Sequence, residues 1–146
     1  DMEAGATVNL EPASRDWDLV FTQYVHIFQD EPLDSPFRYY LVLGCLPNLQ
    51  GGVRSLRISQ SGTPQYYTPF DSLTGAQATG FPLTDELDEM GYDWKVYEFE
   101  DGYVIPETQH YLVQSAEEEL YKLRFTDFYG PDGAKGTPTF IYQRIQ

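Results

Sequence analysis

Short runs of period-2 hydrophobicity alternate along the chain with clusters of Gly, Pro, Asp and Asn. That is the pattern of strands broken by turns, not of amphipathic helices, whose apolar positions recur every three to four residues. The clearest case is the C-terminal stretch LYKLRFTDFYGPDGAKGTPTFIY, residues 120–142. Tyr121, Leu123, Phe125 and Asp127 fall on one face and Lys122, Arg124 and Thr126 on the other, as in a half-buried strand. Gly130, Pro131, Asp132, Gly133 and Gly136 supply turn chemistry, because glycine tolerates positive φ and proline fixes its own. Residues 139–142 resume a β-rich run, so the segment predicts an antiparallel hairpin with a loop longer than the tightest turns.

The rest of the chain follows the same logic. Residues 6–10 predict a short edge strand, and residues 16–28, dense in β-branched and aromatic side chains, predict a long one. Residues 37–43 are almost continuously apolar, which predicts a strand buried on both faces. Residues 53–59 predict a strand with Leu56 and Ile58 on one side. From 60 to 91, Gly62, Pro64, Pro69, Gly75, Gly80 and Pro82 leave no room for a long regular element. Within it, residues 71–78 predict one or two helical turns. Residues 84–90 predict another, with Thr84 as N-cap, acids in the first turn and Gly91 just past the end. Residues 94–99, 103–105 and 110–114 then form a strand meander that runs into the C-terminal hairpin. The expected fold is all-β: one antiparallel domain over residues 1–146, with one or two short helical turns.

Composition narrows the function. A chain of 146 residues, 41% hydrophobic and 16% aromatic, suffices for one well-packed core. Nine Lys and Arg against 23 Asp and Glu give a net charge of -14, which repels polyanions and excludes nucleic acid as a partner. No apolar run approaches the roughly 20 residues of a membrane-spanning helix. The chain opens Asp1-Met2 without a charged n-region, so a processed or trimmed product is expected, with any lipid anchor upstream. Cys45 lies in the run LVLGCL and reads as a buried, inert thiol. A P-loop, a dinucleotide fingerprint, a nucleophile elbow and a His-Glu-x-x-His motif are all missing, and one Cys with two His cannot build a structural zinc site. The acidic run Asp85-Glu86-Leu87-Asp88-Glu89 lacks the calcium-loop alternation and reads as a solvated helix end. A binding protein is expected, not an enzyme.

The segments WDLVFTQY (17–24) and YKLRFTDFY (121–129), with Lys135-Gly136 ahead of TFIY (139–142), resemble the HmuY family of Bacteroidota surface lipoproteins. The two anchors frame most of the chain, while its middle departs from the family pattern. The resemblance implies an all-β fold, display on the cell surface as an outer-membrane lipoprotein or secretion, and haem capture for handover to a TonB-dependent outer-membrane transporter. It also implies a further N-terminal portion, so a trimmed chain or a shortened relative is expected. Family members hold the iron through two axial side chains, His or Met, both of which haem iron accepts, but neither maps onto a matching position here. Judged on residue type, the candidate ligands are His110, Met90 and His26, with Met2 behind them. His26 sits inside a strand, where a hydrogen-bonded structural histidine is expected. His110 opens a strand after Pro106 at a more accessible place, and Met90 stands beside Gly91-Tyr92 in an aromatic-flanked segment. The tyrosines and Trp94 are candidates to line an apolar slot. The alternative reading is a non-enzymatic β interaction module, an accessory subunit of an outer-membrane assembly without haem.

Overall fold

Among residues 12–146, which the computed structural model describes, eight strands pair antiparallel in three sheets. The edge strand expected at residues 6–10 lies outside the described residues. Strands β1 (Leu19–Ile27) and β2 (Tyr39–Pro47) form a long two-stranded hairpin. Strands β3 (Arg54–Ser59), β6 (Gln109–Gln114), β7 (Leu120–Tyr129) and β8 (Lys135–Arg144) form a sheet in the order β3-β6-β7-β8. Strands β4 (Val96–Glu98) and β5 (Gly102–Val104) make a small hairpin between them. The only α-helix among the described residues is one turn, α1 (Gly75–Ala78), preceded by a 3-10 turn at Phe70–Ser72. The all-β expectation holds, as do the helical turns expected at residues 71–78 and the C-terminal hairpin. Strand β8 is longer than the run at 139–142 suggested, because it pairs with β7 past two register shifts.

Both faces of the four-stranded sheet are covered. On one face Tyr111, Val113, Leu123 and Phe125 join Cys45, Val53, Met90, Trp94 and Phe128. Trp94 stacks on Phe125 with ring centroids 4.2 Å apart. On the other face Leu56, Ile58, Leu112 and Leu120 are roofed by the irregular segment 60–83, through Leu73, Ala78, Tyr66, Tyr67 and Phe81. Strand β7 is therefore not half-buried as its alternation suggested. Its polar face, carrying Lys122, lies under the roof, and Lys122 is 4% exposed.

Two expectations fail for identifiable reasons. The helix expected at 84–90 does not form. The backbone of Thr84 pairs with Ser55 at the edge of β3, with N···O distances of 2.9 and 3.3 Å, and its hydroxyl accepts from Glu86 N–H in a turn. The acids of this run are held by other elements: Glu89 accepts from the backbone of Arg57, and Asp88 meets His26. Tertiary pairing outweighs the small intrinsic stability of so short a helix. The second failure is β2, whose apolar run is buried only at its C-terminal half. Tyr39, Tyr40, Leu41 and Leu43 stay exposed because β2 pairs only with β1, in a two-stranded sheet apart from the four-stranded one.

Candidate functional site

Strand β6 determines where its histidine goes. Successive side chains point to opposite faces, so Tyr111 and Val113 enter one core while His110 and Leu112 enter the other, beneath the roof. The Phe70 ring stands edge-on to the imidazole at 5.8 Å and Tyr67 lies tilted at 6.3 Å. Lys122 donates from Nζ to the carbonyls of Phe70 (2.8 Å) and Leu73 (3.1 Å). The Arg124 guanidinium lies 4.8 Å from the centre of the Phe70 ring.

Burial, and then the charges of Arg124 and Lys122, push the His110 pKa down to about 4, so the ring is neutral at physiological pH. Its Nε2 is buried and has no hydrogen-bond partner among the described residues. Such atoms are uncommon in folded proteins and costly to keep. The arrangement is a neutral nitrogen donor near two aromatic rings and two cations. The sequence placed His110 at an accessible strand start. In the structure it is 2% exposed, because the roof brings Tyr67, Phe70 and Leu73 over it.

The other two candidates lie elsewhere. Met90 is fully buried on the opposite face of the sheet, where the Tyr111 hydroxyl donates to its carbonyl at 3.4 Å. His26 is half-buried on β1, with Nδ1 2.9 Å from Asp88 Oδ2 and ring contacts to Phe28 and Tyr92. It borders a polar concavity of about 360 Å³ lined by Glu86, Asp88, Glu89, Asp93 and Arg57, and Arg57 is paired with Asp93. The three residues share no site. Among the described residues no group of three or more His, Cys, Asp or Glu is arranged to hold a metal ion.

A second concavity of about 460 Å³ escaped the sequence reading. It runs between β2 and the segment 92–103, lined by Tyr40, Leu41, Leu43, Lys95, Tyr97 and Tyr103 among others. Lys95 is buried in its floor, donating to the Leu43 carbonyl at 2.8 Å and lying 4.4 Å from the centre of the Trp94 ring. Loss of hydration there lowers its pKa. The signal in the sequence was the run of apolar residues in β2 that find no core.

The sequence pattern of the family described as HmuY protein matches residues 58–142, more than half of the chain. The chain belongs to the HmuY family. The HmuY match spans the roof, β6 and β7, so His110 and every residue just placed around it fall inside, as does Met90, while His26 falls outside. No curated protein and no solved structure gives a significant match. Among the described residues no helix is long and apolar enough to cross a membrane.

Proposed function

We propose that this HmuY-family chain is a haem-binding protein, not an enzyme, displayed on the cell surface or secreted, which passes haem to a TonB-dependent outer-membrane transporter. One observation carries the reading: the neutral, buried His110 ring, whose Nε2 is unpartnered, lies among Tyr67, Phe70, Lys122 and Arg124 within the family-matched span. The residues fit the group. A haem iron accepts an imidazole nitrogen, the macrocycle packs against aromatic rings, and the propionates pair with cations.

In this reading His110 would hold the iron, Tyr67 and Phe70 would pack on the macrocycle, and Lys122 and Arg124 would bind the carboxylates. When bound, the haem supplies a coordinating metal and its absorbance. The chain's own residues do the gating. Lys122 ties the roof down through two carbonyls, and would have to give up those bonds to meet a carboxylate of the ligand. Lifting the roof would uncover Leu73, at roughly 1.5–3 kcal/mol. Reburial of that side chain would favour release of the ligand. Met90 packs the opposite core, and His26, among carboxylates, is poorly placed for a dianionic ligand.

Haem titration followed by absorbance tests this. The expected result is a saturable Soret shift that is lost in His110→Ala and retained in His26→Ala. Unchanged titration of His110→Ala refutes the assigned ligand. No shift in the wild-type chain overturns the haem reading and favours the β interaction module without haem.

A further inference from the structure

We propose that the free edge of β2 is a docking site for an extended, basic segment of a partner protein, which adds to the β1–β2 hairpin as a third strand. The proposal does not depend on the haem reading. Its evidence is the direction of the backbone. Cys45 N–H donates outward, away from β1, to the Gly91 carbonyl, and the Leu43 carbonyl points the same way, to Lys95. Along an antiparallel strand every second residue faces the same edge, so the N–H and C=O of Leu41 and the N–H of Leu43 also point outward. Among the described residues none of these three groups has a hydrogen-bond partner.

These groups open into the 460 Å³ groove, which is lined by four consecutive residues, Tyr40 to Leu43. Both parities of the strand line it, so the edge of β2 forms part of the wall, and Gln23 of β1 extends it onto the hairpin's face. Such an edge accepts a strand through main-chain hydrogen bonds, with alternate side chains giving selectivity.

The facing wall and the charge select the occupant. Val96, Tyr97 and Tyr103 line the groove with the edge, which leaves less room for the flat edge-to-edge approach of a second hairpin than for a single extended segment. The loop of the β1–β2 hairpin carries Asp30, Glu31 and Asp34, and the turn between β4 and β5 carries Glu100 and Asp101 next to Glu98. Within a net charge of -14, these acids repel a second copy and favour a segment with apolar residues facing Leu41 and Tyr97 and basic residues between and beyond them.

The probe is a capped peptide of alternating valine and lysine, added to the whole chain while amide hydrogen exchange is read at Leu41 and Leu43. Exchange at both is expected to slow by on the order of tenfold or more at saturation. A twin N-methylated at alternate amides, and a valine–glutamate peptide, should give no protection. Leu41→Pro removes the outward donor without touching the β1–β2 ladder, since edge positions tolerate proline, and should abolish protection. Tyr97→Ala, which leaves β2 intact, should weaken it. The proposal is overturned by no protection at millimolar peptide, by equal binding of the N-methylated twin, or by protection that rises with protein concentration alone, which would identify a second copy as the occupant.

Discussion

The buried His110 makes a quantitative prediction about pH and stability. Its pKa is about 4 in the folded chain against an ordinary value of 6.5. Between those values the unfolded chain binds a proton that the native ring refuses, so stability is complete above pH 6.5 and falls as pH drops toward 4. From the two values, the contribution lost at pH 5 is about 2 kcal/mol, nearly one and a half powers of ten in the folding constant. Many carboxylates also titrate in acid, so the test is a difference. His110→Gln retains a polar side chain and removes the titration. Urea unfolding of both proteins at pH 7.5 and pH 5 should show the wild type losing about 2 kcal/mol more than the variant, a relative midpoint shift near 1 M for a typical slope. Parallel loss in the two proteins would refute the claim that the ring is held neutral by burial beside Lys122 and Arg124.

Other perturbations probe the roof and the packing. Lys122→Met leaves the Phe70 and Leu73 carbonyls without their charged donor. It should cost about 2–3 kcal/mol and speed proteolysis within residues 60–83 before global unfolding. Gly44→Ala should destabilise by about 1–3 kcal/mol in a thermal melt, because a Cβ there would lie 2.5 Å from the Gly91 carbonyl oxygen and 2.7 Å from the Tyr24 ring. Burial pushes the Cys45 thiol up to about 12. A thiol reagent at pH 8 should therefore leave it unmodified in the folded chain and label it fully in denaturant.

Local pattern was sufficient for the elements whose hydrogen-bond partners lie nearby in sequence. The alternation through residues 121–127, the glycine-rich turn after it and the β-rich run beyond specified the β7–β8 hairpin, because turn chemistry and a period of two set its pairing directly. The same reasoning placed the single turn α1 and buried Cys45. It also listed His110, Met90 and His26 as the side chains worth following, since few residue types can ligate iron.

Which faces are covered was decided by the tertiary structure. Period two distinguishes the two sides of β6 and β7 but does not say what packs on each. That depends on segment 60–83, which has almost no regular structure and no periodicity of its own, folding back over His110 and Lys122. For the same reason an apolar run in β2 read as buried while Leu41 and Leu43 stand at a free edge. An acidic run that reads as a helix start is instead held in turns by Ser55, Arg57 and His26, residues distant in sequence. Burial is a property of pairs of segments, so a single segment's pattern supplies only half of the information.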